Sequence, residues 1–111
     1  MKLSKHFKLE EFLKTRHSTI EEQRKKLTPE IRANLKRLAT ELEKVRKLFG
    51  NRPVKITSGF RPEKVNRAVG GVPNSLHKIG CAGDIVILGF SPVEVAVKIR
   101  NSSFGKEFRR V

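Results

Sequence analysis

The chain of 111 residues has one cysteine, no tryptophan and no tyrosine. A single cysteine excludes an internal disulfide framework. The missing indole and phenol rings remove the stacking platform on which proteins hold single-stranded nucleic acid. No apolar run approaches the roughly 18 to 20 residues that a membrane-spanning helix needs. The opening Met1-Lys2-Leu3-Ser4-Lys5-His6-Phe7-Lys8 lacks the apolar stretch of a secretory signal, so residence in the cytoplasm after synthesis is the expectation. Internal repeats and low-complexity linkers are also missing. Acidic residues are scarce, with 11 Asp and Glu against 25 Lys and Arg, for a formal net charge of +14.

That charge is spread evenly. Residues 1–50 carry 14 basic and 7 acidic side chains and residues 51–111 carry 11 and 4, so each half holds +7. With no basic tail or arm, the field would attract any polyanion, whether nucleic acid, an anionic membrane face or an acidic cell-wall polymer. A solvated surface that keeps the protein soluble explains it equally well. No zinc-finger or helix-turn-helix signature is present, so specific nucleic-acid recognition is not expected. The length fits one domain, and 37% apolar residues with seven Phe suffice for one modest core.

The first 27 residues read as short helical pieces. Leu9, Phe12 and Leu13 share a face, and Ser18-Thr19-Ile20-Glu21 forms a capping box that opens a second piece. Thr28 and Pro29 then start a long amphipathic helix. Its stripe is Ile31, Leu35, Leu38, Leu42, Val45 and Leu48, and Gly50 ends it. Val54-Lys55-Ile56-Thr57-Ser58 alternates and is β-branched, which predicts a half-buried strand. A short helix from about Glu63 to Ala68 and a shaped Gly70-to-Asn74 loop follow. Asp84 to Leu88 is a second strand, expected to be the more buried of the two. Ser91-Pro92-Val93-Glu94 is a capping box for a helix to about Arg100, and Phe108 to Val111 suits one more strand. Helices first and strands later predict an α+β domain, with N-terminal helices packed on a small, mostly antiparallel sheet.

Unusual residues concentrate in Ser75-Leu76-His77-Lys78-Ile79-Gly80-Cys81-Ala82-Gly83-Asp84. His77 and Asp84 are separated by small residues that let the backbone turn and return the carboxylate to the imidazole. An imidazole nitrogen and a carboxylate oxygen are zinc donors. Spacing alone leaves two readings open, a metal site and a hydrogen-bonded structural pair. Cys81 reads as a small buried apolar side chain, and a thiolate ligand is the alternative.

Taken together these segments resemble the M15 peptidases, the zinc D-Ala-D-Ala carboxypeptidase family, in the form common in bacteriophage. The resemblance begins at Leu3-Ser4-Lys5-His6-Phe7 with Glu11-Phe12 and continues through Asn34-Leu35. It then takes in Ile56-Thr57-Ser58-Gly59-Phe60-Arg61, Asn66, Gly70-Gly71 and Ser75 to Asp84. The last segment matches the family's S-x-H-x-x-G-x-A-x-D signature at every defined position. The resemblance implies a D-Ala-D-Ala carboxypeptidase/Hedgehog-like fold and hydrolysis of peptidoglycan stem peptides, as a D,D-carboxypeptidase or an endopeptidase. His77 and Asp84 would be two of three zinc ligands. Arg61 would receive the substrate's terminal carboxylate, a role suited to a rigid two-pronged donor, and Ser75 would hydrogen-bond substrate or a ligand.

The family's third ligand, a His on a later strand, and the acidic general base just before it have no counterpart up to Val111. No catalytic base can therefore be assigned. Two expectations fit: a C-terminally incomplete domain, or a relative that kept the fold and binds wall peptides without cleaving them. His6 looks structural, as a cap on the first helix, and His17 looks solvated. Glu107, among Lys106, Arg109 and Arg110, suits a surface ion pair. An incomplete domain would leave a sheet edge open to pairing with a second copy. Action at the cell wall during phage lysis or entry is the setting that the resemblance implies.

Overall fold

The computed structural model describes residues 1–102. The expected Phe108–Val111 strand and Glu107 lie outside the described residues. The chain opens with α1, Leu9–Leu13, which buries Leu9, Phe12 and Leu13 on one face. The Glu11 carboxylate accepts from the Lys8 amide at 2.7 Å and satisfies the helix start. Next is α2, Ile20–Lys25, capped by Thr19, whose hydroxyl accepts from the Glu22 amide at 3.1 Å. The cap stands one residue later than the expected box. Ser18 instead donates its hydroxyl to the Glu22 carboxylate at 3.1 Å.

The spine is α3, Pro29–Leu48, with the Thr28 hydroxyl accepting from the Ile31 amide at 3.1 Å and Pro29 in the first turn. Its stripe buries Leu35, Ala39, Leu42 and Val45 and half-buries Ile31, Leu38 and Leu48. Gly50 then takes a left-handed φ of +72° and turns the chain away. Phe7, Phe12, Leu13, Phe60, Val54, Ile87, Val95 and Ile99 complete the core. Burying each such side chain contributes roughly 1.5–3 kcal/mol.

Two strands, β1 (Val54–Ser58) and β2 (Asp84–Ile87), pair antiparallel and are the whole sheet among the described residues. The register sets Val54 against Ile87, Ile56 against Ile85 and Ser58 against Asp84, with a bulge between Ile56 and Ser58. β2 was expected to be the better buried strand, and the opposite holds. β1 buries Val54 and Ile56, whereas β2 buries only Ile87 fully and leaves Val86 48% exposed. The apolar run misleads because only one face of the sheet has a core to pack on, so alternate residues of β2 meet solvent. Between the strands lie α4, Glu63–Ala68, and a 3₁₀ turn, Leu76–Ile79. The last described element is α5, Pro92–Arg100, opened by the Ser91/Glu94 capping box and burying Val95 and Ile99. The architecture is α+β, as expected. No helix among the described residues is long and apolar enough to cross a membrane.

Candidate metal centre

The centre forms where the chain leaves β1 and where it returns in β2. Gly59, just past Ser58, lies directly on α1. The Phe60 amide donates to the Phe12 carbonyl at 2.8 Å, and a Cβ at position 59 would stand 2.6 Å from that same oxygen. Only glycine allows so close an approach. From the other side the fully buried Gln23 of α2 donates its amide to the Phe60 carbonyl at 3.1 Å. The Gly59–Phe60 backbone is thereby fixed twice.

His77 is delivered by the 3₁₀ turn. The Ser75 hydroxyl accepts from the His77 amide at 3.2 Å, and Gly80 closes the turn at φ +78°. Asn34 of α3 donates to the Ile79 carbonyl at 2.8 Å, and the Arg61 amide donates to the His77 carbonyl at 2.9 Å. The preceding loop is shaped by Asn66, whose side chain donates to the Val72 carbonyl and whose carbonyl accepts from the Gly71 amide, each at 2.8 Å. These contacts hold a residue that is only 3% exposed.

Nδ1 of His77 lies 2.8 Å from the Gly59 carbonyl oxygen. A carbonyl only accepts, so Nδ1 carries the proton and in the neutral ring Nε2 keeps its lone pair. That nitrogen faces Oδ1 of Asp84, the first residue of β2, at 3.7 Å. The separation is too long for a hydrogen bond. It is close to the roughly 3.4 Å between two donors on one tetrahedral zinc, given bonds of about 2.0–2.2 Å. A buried imidazole oriented by a backbone carbonyl, with a half-exposed carboxylate in front of it, fits one side of a zinc site. The seven-residue return expected from the Gly- and Ala-rich segment brings the two groups together.

Arg61 and Ser75 are also neighbours, with Nη2 donating to the Ser75 hydroxyl at 3.4 Å. Nε of Arg61 is buried and has no partner among the described residues. Arg61 is half-buried.

A family model described as Peptidase M15 matches residues 5–109. The chain belongs to the peptidase M15 family. No curated protein and no solved structure matches it. Membership places it among peptidase-type hydrolases that are generally zinc-dependent. In this M15 chain, no group of three His, Cys, Asp or Glu that could hold a metal occurs among the described residues.

The remaining histidines stand apart from the pair. His6 is structural but does not cap α1, because its Nδ1 meets Oε1 of Glu43 at 2.6 Å and so ties the N-terminal loop to α3. Position 8 caps α1 instead. His17 is exposed, as expected. Cys81, expected to be buried, is exposed, because left-handed Gly80 turns the chain outward ahead of it. Sequence reasoning missed Gln23. The signal was available, since Gln23 stands at helical spacing between the apolar Ile20 and Leu27, where a polar residue calls for a buried partner.

Proposed function

We propose that this M15 chain is a zinc-dependent hydrolase of peptidoglycan stem peptides, with His77 and Asp84 as two of its zinc donors. The observation that carries the reading is the Nε2 lone pair of His77 facing the Asp84 carboxylate at 3.7 Å, with its tautomer fixed by Gly59. When bound, zinc supplies Lewis-acid polarisation of an amide carbonyl. Gly59 holds the imidazole in the orientation and neutral tautomer that point Nε2 at the metal, and Asp84 adds the negative charge that a divalent cation needs. Arg61 receives the terminal carboxylate of the peptide and sets its register, with Ser75 steadying the guanidinium. The third donor and the acidic base come from outside the described residues or from a second chain, and residues 1–111 act as one peptidase unit. The reaction takes place at the cell wall, during phage lysis or entry, and the positive surface concentrates the protein on acidic wall polymers.

A second reading follows from the two-donor count among the described residues. In it the same fold binds wall peptides through Arg61 without cleaving them. One experiment separates the two. Zinc content and affinity of the purified chain are measured by metal analysis and chelator competition, beside His77→Ala and Asp84→Asn, and D-alanine release from a D-Ala-D-Ala peptide is followed. Stoichiometric zinc that is lost in His77→Ala, with release of D-alanine, supports the hydrolase. Peptide binding that is lost in Arg61→Ala, without release, supports the binding module. Zinc retained at full affinity in His77→Ala refutes the assignment of the donors.

A further inference from the structure

Next to the metal donors the surface opens into a cleft of about 380 Å³. Small-ligand sites occupy roughly 300–1,000 Å³, so the space suits a short peptide segment. Lys14, Arg16, His17, Thr57, Ser58 and Arg61 are among its lining residues, and none of the described lining residues is acidic. Ser58 joins the cleft to the metal centre, because it is paired with Asp84 and precedes Gly59. Arg61 joins it to the proposed contact with the terminal carboxylate.

The Lys14–His17 stretch is a built turn. Thr15 bridges to Ser18, and the His17 amide donates to the Thr15 hydroxyl at 3.2 Å. Lys14 leaves α1 in an extended conformation two residues after Phe12, whose carbonyl anchors Phe60. The turn and Arg61 are therefore fastened to the same junction. Some cations elsewhere on this surface meet carboxylates, as Arg24 meets Glu10 and Lys78 meets Glu63. Lys14, Arg16 and Arg61 have no acidic partner among the described residues, although they share one concave site. Cations gathered in a cleft with hydroxyls and without a counter-charge recognise an anion.

Resting on the wall-peptide reading, we propose that Lys14 and Arg16 form a second carboxylate subsite, apart from the Arg61 contact. The preferred ligand is then a peptide that carries an acidic group a few residues before its terminal carboxylate. This follows from the extent of the cleft, which places cations from the α1–α2 turn and from the β1–α4 loop around one ligand.

The test is a calorimetric titration of the full chain at low salt with acetyl-Glu-Ala-D-Ala-D-Ala, with its Gln counterpart, and with glutarate as a simple dicarboxylate. The Glu peptide is expected to bind about 5-fold more tightly, the scale of exposed ion pairs. Lys14→Ala/Arg16→Ala should erase that difference and leave the affinity for the Gln peptide unchanged, whereas Arg61→Ala should weaken both peptides alike. Lys14→Glu/Arg16→Glu should reverse the preference. Equal affinity of the wild type for the two peptides overturns the subsite, as does a preference that survives in the double alanine variant. If neither peptide binds and glutarate still does so through Lys14 and Arg16, the wall-peptide reading falls and the subsite stands. Failure of glutarate together with both peptides overturns the subsite.

Discussion

A methyl group added at position 59 would stand 2.6 Å from the Phe12 carbonyl oxygen and 2.8 Å from its Cα. Both atoms are backbone, so neither can swing aside, and the Gly59 carbonyl that orients His77 would move instead. Gly59→Ala is expected to destabilise the fold by roughly 1–3 kcal/mol, in the manner of an overpacked site, and to weaken zinc beyond that. A thermal melt read beside a zinc titration checks this, and wild-type values in both would contradict the account. Gln23→Leu approaches the same junction from the other side. It keeps the volume but orphans the buried Phe60 carbonyl, with an expected loss of about 1–3 kcal/mol in denaturant unfolding.

Among the elements, the N-terminal loop is tied to α3 by a hydrogen-bond cluster on one carboxylate. The Glu43 carboxylate of α3 accepts from the Ser4 hydroxyl at 2.5 Å and the His6 amide at 2.7 Å, and meets the His6 ring at 2.6 Å. Partial burial pushes its pKa up, but the hydrogen bonds from Ser4 and His6 outweigh burial and leave it below its usual 4.5. A carboxylate lowered in the folded state stabilises that state fully above the unfolded value. The contribution is lost as pH falls through the folded value. The clasp should therefore hold at neutral pH and open only below about pH 4.5. Amide exchange of residues 1–8 followed against pH checks this, and Glu43→Gln should flatten the profile. The caps of α3 and α5 and the stripe of α3 were legible in the sequence because they are local chemistry: a hydroxyl and a proline at the start and apolar residues on one face. Burial of β2 and of Cys81 was not, because it depends on which face of a strand or turn meets the core, and no local residue encodes that. The His77–Asp84 pair was legible from its signature. The Gln23 and Phe12 supports, which come from elements distant in sequence, were not.

At the scale of the whole molecule, the net charge of +14 has no basic tail to carry it. Binding to an acidic wall polymer should therefore fall steeply as ionic strength rises from 0.01 to 0.15 M, where screening shortens from roughly 30 to 8 Å. Zinc affinity, set by short contacts, should change little over the same range. Sedimentation of the protein with purified cell walls, beside chelator competition, measures both, and salt-independent sedimentation would count against electrostatic adhesion. The loop excursion and the core are also separable in the chain. Residues 59–83 leave the sheet at Ser58 and rejoin it opposite, at Asp84, so both ends of the excursion are held in one register. Within it, residues 69–74 are largely exposed, tied down by the Asn66 contacts and by Lys78, which donates to the Pro73 carbonyl at 2.7 Å. Descendants of this sequence can thus lengthen or rewrite that outer stretch without disturbing the His77–Asp84 pair at its base, giving natural selection a place to vary the loop while the paired side chains are inherited intact.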